Sequence, residues 1–544
     1  MPPRRRFALL LALAVVAAAA RLEARTGAVA TEHPLAAEAG ATILRAGGSA
    51  VDAAIAAAAA ICVVHASSCG IGGGGFALVR TADGNVLALD YRETAPAGAT
   101  PDRFLVDGKP DPSRTVRGGL AVAVPGEVAG WIALHRKLGT LPLATVLAPA
   151  IRLAREGVPL SEDAHLRDQI ARTRPLLEAD PGLRAVFLDP NGEAPAPDAR
   201  IVQADLAATL DRVAHDGLKG FQAAADAIAA TVKARGGVMS ADDVHDYRPQ
   251  WRDPLEGTFG GRRIVTFPPP GSGGVVLEIL GILGGDDLAA MDPGARAHLL
   301  AGAMAQGFAD RATWYGDTNV PVKSLLEPQR LQALRARIPP DRVIAPTVAM
   351  KPDAGTAHVS VVDGYGNAVA ITTTINTSFG AGIMVPGTGI ILNNEMDDFA
   401  LPGVANVYGL TGGTANAIAP GKRPQSSMSP TIVLDDGRPE LVVGGSGGPL
   451  IISGVVQTIL NVVAAKQPLR EAVDAPRIHD QGVPPKLAIE RGVSGPTRDA
   501  LTKVGHALTE IPAIGAVAAA GLAADGTPVA AGDHRKDGGD AVVH

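Results

Sequence analysis

The chain has 544 residues, of which 47% are hydrophobic and 19% are charged. This hydrophobic fraction can bury a large core, so disorder as the overall state is excluded. The 49 basic and 55 acidic residues give a net charge of −6, which argues against a nucleic-acid-binding protein. Two cysteines are too few for a disulfide scaffold.

The N-terminal residues are typical of an export signal. An arginine triplet at 4–6 precedes an apolar run at 7–20, and small residues then allow cleavage after Ala20 or Ala24. The run is short for a membrane span, so an uncleaved anchor is the weaker alternative. The sequence therefore predicts a signal peptide over 1–24, a periplasmic or secreted protein, and no stable membrane span after signal removal.

The predicted chain contains groups of helices separated by hairpins and short strands. The predicted elements are two helices within 34–64 separated at Gly47-Gly48, a hairpin at 76–91, helices over 126–240, a strand at 263–267, a rigid turn at 268–274 leading into a helix, a proline-punctuated exposed connection at 320–355, a hairpin at 357–375, strands at 389–392, 431–435 and 440–443, and a helix at 450–465. Ser49 is the expected N-cap of the second helix. This order indicates packed layers rather than a βαβ array.

The two cysteines are close in sequence and admit three interpretations. Cys62 ends an alanine-rich apolar helix, where a buried, unreactive thiol is the favoured state. A disulfide between Cys62 and Cys69 is possible in an exported protein. A metal site that also uses His65 is a further alternative, although no fourth ligand is evident.

Gly70, Gly72 and Gly75 match the pattern G-x-G-x-x-G of dinucleotide-binding loops. Such a loop requires a strand before it and a helix after it. Here a helix precedes the glycines and a hairpin follows. The motif is therefore interpreted as a turn in which backbones approach closely.

A second glycine motif, at 444–448, matches G-x-S-x-G with Ser446 at its centre. A strand precedes it and a helix follows, as in the nucleophile elbow of α/β-hydrolases. The partners that could complete a triad are Asp474 with His479 or His506. Against this, the upstream chain does not alternate strands and helices. Alternatively, Gly447 and Gly448 offer backbone N–H groups to a developing oxyanion.

A series of short motifs runs from about residue 26 to the C-terminus. They are GIGGGGF at 70–76, YRETAP at 91–96, PG at 125–126, ADR at 309–311, GTAHVSVVD at 355–363, TINTSFG at 374–380, LNNEMDDF at 392–399, KRPQSSMSPT at 422–431 and GGSGG at 444–448. In order and spacing they resemble the gamma-glutamyltranspeptidase family of N-terminal nucleophile hydrolases.

The resemblance implies an α+β fold, a four-layer αββα sandwich, made as one precursor that cuts itself between Gly355 and Thr356. A large chain over 25–355 and a small catalytic chain over 356–544 would remain one structural unit. An N-terminal threonine carries a hydroxyl and an α-amine with a reference pKa near 8, so it can serve as its own base. A glycine before it crowds the attack least.

The resemblance also assigns the roles of individual residues. Thr356 matches the nucleophile and Thr374 a second threonine beside it, while Gly447 and Gly448 match the oxyanion hole. The matches for donor contacts are Arg92, Ser426 and Ser427 for the α-carboxylate, Asn376, Glu395 and Asp398 for the α-ammonium, and Thr374 and Gly448 beside them. An arginine fork suits a carboxylate better than lysine does. Tyr408 matches the lid of the glutamyl pocket.

The implied activity is that of an exported gamma-glutamyltransferase and glutathione hydrolase. It would form a γ-glutamyl ester on Thr356 from glutathione or another γ-glutamyl compound and pass it to water, amino acids or peptides, without a metal or organic cofactor. A same-fold cephalosporin or glutaryl-type acylase is the main competing interpretation, although the ammonium contacts argue against it. An α/β-hydrolase using Ser446 would be a different mechanism. A non-catalytic binding protein would be expected to lose Thr356 or Arg92, and neither is lost.

Overall fold

The computed structural model describes residues 26–343, 355–482 and 486–544, so the predicted signal peptide lies outside the described residues. Two antiparallel sheets form the centre of the fold. In spatial order, the seven-stranded sheet contains Gly539–Val543, Gly27–Thr31, Ala357–Asp363, Ala368–Thr374, Gly74–Arg80, Val86–Tyr91 and Gln250–Arg252. The six-stranded sheet contains Pro528–Gly532, Ala516–Leu522, Arg438–Ser446, Thr431–Asp435, Arg262–Thr266 and Leu255–Phe259.

The predicted hairpin at 357–375 forms the middle of the seven-stranded sheet. Every residue of its two strands is buried, because both faces of the sheet are covered. Val359 and Val361 pack against a helical layer, whereas Ala368 and Ala370 face the second sheet. Thr356 directly precedes this central hairpin, which gives it a rigid support.

Helices cover the outer face of each sheet. Those against the seven-stranded sheet are Pro34–Arg45, Ala50–Val64, Glu127–Leu138, Leu143–Glu156, Ala204–Asp216 and Ala225–Ala234. Those against the six-stranded sheet are Gly273–Leu283, Pro293–Trp314, Pro328–Ala336 and Leu450–Ile459. Between the sheets, the rings of Phe76 and Phe267 stack with centroids 4.2 Å apart. The predicted four-layer αββα sandwich is confirmed.

The remaining helices lie at the periphery of these layers. They are Ser113–Val116, Ala164–Glu178, Pro181–Phe187, Leu218–Gln222, Ala241–Asp246, Val322–Leu325, Leu469–Asp474 and Gly495–Val504. Within the described residues, no helix has both the length and the apolar character that a membrane span requires.

Most of the predicted elements are present. Ser49 caps its helix and forms a reciprocal capping box with Asp52, as expected. The connection predicted at 320–355 is partly wrong: its described part contains the helices Val322–Leu325 and Pro328–Ala336 and buries Leu334. Its proline at position 328 begins a helix rather than interrupting one.

Two further element predictions differ in their extent. The strand predicted at 389–392 is reduced to Ile390–Ile391, which pairs with Met384–Val385. The helix predicted at 450–465 is α-helical only to Ile459 and then continues as a π-helical turn over Leu460–Ala464. Such a turn widens the helix by one residue.

The structure distinguishes between the interpretations of the two cysteines and of the first glycine motif. Cys62 and Cys69 are buried free thiols, so the disulfide is not formed. A Cβ atom placed on Gly72 would lie 2.1 Å from the carbonyl oxygen of Ile391. The interpretation of this glycine motif as a turn of closely approaching backbones is confirmed.

Candidate active site

Thr356 is fixed by main-chain and side-chain contacts at the edge of the central hairpin. Its N–H donates to the carbonyl oxygen of Ser68 at 2.9 Å, and its own carbonyl accepts from Lys536 Nζ at 2.8 Å. Its φ is +103°, an uncommon value for a β-branched residue. The Thr356 hydroxyl donates to Thr374 Oγ1 at 3.1 Å. The hydroxyl is thus held in one direction by a strained backbone.

Thr374 and Asn376 continue this network from the end of the neighbouring strand. Thr374 Oγ1 also accepts from the Asn376 N–H at 2.8 Å. The amide of Asn376 donates to the carbonyl oxygen of Asn394 at 2.9 Å, and its Oδ1 accepts from the hydroxyl of Tyr408. Asn376 therefore connects the predicted lid residue to the threonine pair.

A small cavity lies beside Thr356. It is lined by Arg92, Thr356, Thr374, Asn376, Asp398, Tyr408, Ser426, Ser427, Met428, Gly448 and Ile451. The structure thus brings together most of the residues predicted from the motifs. Gly355 and Gly447 adjoin lining residues in the chain, and Glu395 contacts Arg92. The contacting segments are far apart in sequence, so only the tertiary fold assembles them.

Arg92 is buried and surrounded by carboxylates. Its Nη2 donates to Asp398 Oδ2 at 2.5 Å, and its Nη1 lies 3.0 Å from Glu395 Oε1 and 3.4 Å from Glu93 Oε2. The Glu395 contact is an ion pair without hydrogen-bond alignment, and neither Glu395 oxygen accepts a hydrogen bond from the part of the chain that the structure describes. Arg92, expected to bind the α-carboxylate of the donor, thus pairs with Glu395 and Asp398, which are expected to bind its α-ammonium.

Burial and charge act in opposite directions on these groups. Burial alone would lower the pKa of Arg92, but the carboxylates of Glu395, Glu93 and Asp398 raise it above its usual value. Burial raises the pKa of Glu93 to about 7 against the influence of Arg92, and raises the pKa values of Glu395 and Asp398 as well. An ammonium group bound beside these carboxyls would favour their ionised forms.

Ser426 and Ser427 are held by an arginine whose role the sequence did not indicate. Arg311 donates to Ser427 Oγ at 3.1 Å and to Ser272 Oγ at 3.0 Å. Ser272 Oγ in turn donates to the carbonyl oxygen of Ser426 at 2.5 Å. Burial lowers the pKa of Arg311 to about 10. The motif at 309–311 contributed to the resemblance, but nothing in it pointed to these contacts.

Lys536 and Glu32 were also missed by sequence reasoning. Lys536 Nζ lies 2.7 Å from Glu32 Oε2, and Glu32 Oε1 accepts from the His358 N–H at 3.2 Å. Burial raises the pKa of Glu32, opposed by the Lys536 ammonium. The pair joins both termini of the described chain to the Thr356 peptide. A lysine in a polar C-terminal turn carries no sequence signal for this position.

Gly447 and Gly448 lie in the turn between the strand Arg438–Ser446 and the helix Leu450–Ile459. Their φ values of +117° and +56° are left-handed, which favours glycine. Gly448 lines the cavity with Thr356. The turn therefore lies beside Thr356 at the cavity.

The rival triad around Ser446 is not assembled. Ser446 is fully buried, and the strand that leads to it belongs to an antiparallel sheet. The ring nitrogens of His479 contact Ser453 and Gln481, and His506 contacts His298 at 2.8 Å. The α/β-hydrolase interpretation is therefore wrong.

Comparison with known proteins gives consistent results. Residues 36–543 match the family model described as gamma-glutamyltranspeptidase. The glutathione hydrolase proenzyme of Escherichia coli (strain K12) is 38% identical over 530 residues, which cover 94% of this chain and 91% of that protein. The acylase ACY 1 proenzyme of Pseudomonas sp. (strain SE83) is 38% identical over 531 residues, which cover 94% and 92%.

Solved structures resemble the chain as well. The cephalosporin acylase from Bacillus halodurans is similar with a TM-score of 0.85 at 30% identity, covering 95% of this chain and 96% of that one. The Helicobacter pylori gamma-glutamyltranspeptidase has a TM-score of 0.56 at 36% identity, covering 57% of this chain and 91% of that one.

Proposed function

The chain belongs to the gamma-glutamyltranspeptidase family, and from this premise we propose that it is a self-processing gamma-glutamyltransferase and glutathione hydrolase. One observation carries the proposal: Thr356 lines one cavity together with Arg92, Asn376 and Asp398. The cavity combines a nucleophile with groups of both charges. Such a site suits a donor that carries an ammonium and a carboxylate on one carbon.

In the first proposed reaction, the Thr356 hydroxyl attacks the carbonyl carbon of Gly355. The peptide C–N bond breaks, an ester forms on Oγ1, and the Thr356 nitrogen takes the proton. Water then hydrolyses the ester and leaves a free α-amine on Thr356. The left-handed φ of Thr356 supports this step, because strain at that peptide is relieved when the bond is cut.

The large and small chains would stay together after this cleavage. The seven-stranded sheet places Gly27–Thr31 and Gly74–Arg80, which precede Gly355, beside Ala357–Asp363 and Ala368–Thr374, which follow it. Separating the chains would break two strand pairings in the middle of the sheet. Export through the signal at 1–24 completes the proposal, giving a periplasmic or secreted enzyme.

A Gly355→Ala variant is expected to slow self-cleavage by about a hundredfold, the usual consequence of displacing a reacting group by about 1 Å. A Cβ atom on Gly355 would lie only 1.6 Å from the carbonyl oxygen of Asn376, so the junction must move. The measurement is a time course of freshly expressed protein on a denaturing gel. Gly285→Ala is the matched control, because its Cβ meets nothing within 4 Å. Cleavage of Gly355→Ala at the wild-type rate would contradict the proposal.

In the mature enzyme, the same hydroxyl would attack the γ-carbonyl of the donor. The amine of Thr356 takes the hydroxyl proton, and the N–H groups of Gly447 and Gly448 stabilise the oxyanion. When the intermediate collapses, the C–N bond of the γ-amide breaks. The leaving amine takes up the proton, and a γ-glutamyl ester remains on Thr356. Water or the amino group of an amino acid or peptide then attacks this ester and regenerates the hydroxyl.

Donor recognition would use the buried charges around Arg92. The α-carboxylate is proposed to bind Arg92, Ser426 and Ser427, and the α-ammonium to bind the carboxylates of Glu395 and Asp398 together with Asn376, while Thr374 and Gly448 border the reacting bond. Glu395 supports this assignment, because its buried oxygens accept no hydrogen bond from the described residues and could accept from the ammonium of a substrate. When the donor binds, Arg92 and Asp398 would give up part of their contact with each other, and each would contact the oppositely charged group of the substrate.

Tyr408 is proposed to act as the lid of this pocket. It is buried, lines the cavity and donates to Asn376 Oδ1. The contact links the loop at 402–416 to a proposed ammonium ligand. A donor that reorients Asn376 would therefore also act on the loop.

An acylase activity is the second candidate, because the Pseudomonas acylase ACY 1 proenzyme is as similar to this chain as the Escherichia coli glutathione hydrolase proenzyme is. A γ-glutamyl anilide and a glutaryl anilide separate the two activities, since the glutaryl compound lacks the α-ammonium. We expect kcat/KM to be at least about tenfold higher for the glutamyl substrate, the value of one charged hydrogen bond. Equal or reversed preference would favour the acylase.

A further inference from the structure

We propose that His65, Asp163 and Asp537 form a divalent-cation site, and that its imidazole and two carboxylates suit zinc. The three residues come from distant parts of the chain and meet at the C-terminal end of the helix Ala50–Val64. The proposal does not rest on the proposed function, and the chemistry proposed for Thr356 needs no metal. It rests on the geometry of the three side chains and on a buried carboxylate oxygen of Asp163 that has no hydrogen-bond partner among the residues that the structure describes.

Two of the three distances between donor atoms are close to those in a tetrahedral zinc site. His65 Nε2 lies 3.2 Å from Asp537 Oδ2 and 3.6 Å from Asp163 Oδ1. One donor atom from each residue lies within 4.8 Å of the other two. Zinc bonds of about 2.0–2.2 Å place neighbouring tetrahedral ligands roughly 3.3–3.6 Å apart. An ion could therefore be accommodated with small side-chain movements.

One buried carboxylate oxygen of the cluster has no hydrogen-bond partner within the described residues. Asp163 is 2% exposed, yet its Oδ2 accepts no hydrogen bond from any of the described residues. Asp163 Oδ2 lies 4.0 Å from His33 Nε2, but that nitrogen contacts the carbonyl oxygen of Glu162 at 3.0 Å. An unpaired buried carboxylate oxygen is costly unless a cation or a proton compensates it.

Among the described residues, no lysine or arginine side chain forms an ion pair with either carboxylate. Throughout the part of the chain that the structure describes, Asp163 and Asp537 form ion pairs only with the imidazoles of His33 and His65. Lys536, the neighbour of Asp537 in the chain, is paired with Glu32. A divalent ion would supply the charge that this buried pair lacks.

The backbone around the cluster holds the carboxylates in place. Asp537 accepts from the N–H groups of Ala164 at 3.0 Å and His165 at 2.9 Å, and Asp163 Oδ1 accepts from Leu166 at 2.6 Å. Hydrogen bonds of this kind orient the ligands of metal sites. The Asp537 side chain is 14% exposed, which gives an ion access from solvent and leaves a position for water.

The site would brace both contacts that fix the main chain of Thr356. His65 caps the helix Ala50–Val64 and begins the turn that contains Ser68, whose carbonyl accepts from Thr356. Asp537 follows Lys536, which donates to the Thr356 carbonyl. A cation between His65 and Asp537 would thus join the two segments that hold this peptide.

The first test is equilibrium dialysis of the full chain against ZnCl₂, with bound metal measured by mass spectrometry. We expect about one zinc per chain, and loss of that zinc in Asp163→Asn, Asp537→Asn and His65→Gln. His215→Gln is the matched control, because His215 and Asp211 form an exposed histidine–aspartate pair at 4.0 Å. It should retain the zinc of the wild type. Unchanged stoichiometry in the three site variants would overturn the proposal.

A second test does not depend on how the variants fold. Crystals of the wild-type chain soaked in ZnCl₂ are expected to give an anomalous difference peak between His65, Asp163 and Asp537. Absence of that peak at the zinc absorption edge, or absence of bound zinc in dialysis, would overturn the proposal. Either result would mean that a proton shared by the carboxyls compensates the cluster instead.

Discussion

Replacing Thr356 by alanine is expected to give a single uncut chain that lacks hydrolase activity, with a loss on the order of 10⁴–10⁶-fold. One hydroxyl serves both proposed reactions, since it attacks the Gly355 carbonyl in the precursor and the donor in the mature enzyme. The fold should survive, because the hydroxyl contributes one hydrogen bond to Thr374. Intact-mass measurement shows whether the chain is cut, and an anilide hydrolysis assay on the same sample measures the activity.

Two further variants complete this prediction. Thr356→Ser keeps a hydroxyl and should still cleave and turn over, but more slowly, because the methyl group that restricts the rotamer is absent. Ser446→Ala should remain cleaved and active, because Ser446 has no triad. A cleaved, active Thr356→Ala protein would contradict the assignment of the nucleophile. The contradiction would be complete if the Ser446→Ala chain were also uncut and inactive.

Arg92→Lys is expected to keep the fold and self-cleavage but to raise KM for the γ-glutamyl donor by about 10–100-fold. A lysine replaces the bidentate carboxylate contact by a single one, and a hydrogen bond between charged groups contributes about 1.5–3 kcal/mol. The structure adds a second cause. Arg92 contacts Asp398, Glu395 and Glu93 together, whereas one ammonium cannot reach all three in the same geometry.

Steady-state kinetics with a glutamyl anilide measure this effect. Arg263→Lys is the matched control, because Arg263 pairs with Glu256 at the surface at 2.6 Å. Its KM should equal that of the wild type. An unchanged KM for Arg92→Lys would show that Arg92 does not bind the donor carboxylate.

The central hairpin and the capped helix after Ser49 could be predicted because their signals are local. Alternating side chains, a turn at 364–367 and a capping box each lie within a few residues. The strand Ala516–Leu522 could not be predicted in the same way, because five of its seven residues are alanine or glycine. It forms a strand because burial between the sheets and pairing with Arg438–Ser446 determine its conformation.

The site residues likewise divide into those that sequence motifs reveal and those that only tertiary contacts reveal. Thr356, Arg92 and Asp398 were found through motifs, and the structure brings them to one cavity. Their mutual pairing was not foreseen, because motifs matched to a substrate describe the occupied site. Arg311 and Lys536 were missed because each acts through contacts that only the tertiary fold creates: Arg311 holds Ser427, and Lys536 holds the Thr356 carbonyl.

The central claim is that Thr356 becomes an N-terminal residue. N-terminal sequencing of the smaller band from purified wild-type protein on a denaturing gel tests this claim most directly. The proposal predicts a sequence that begins Thr356-Ala357-His358-Val359. A fully active preparation that contains only the uncut chain, or a smaller band that begins at any other residue, would contradict it.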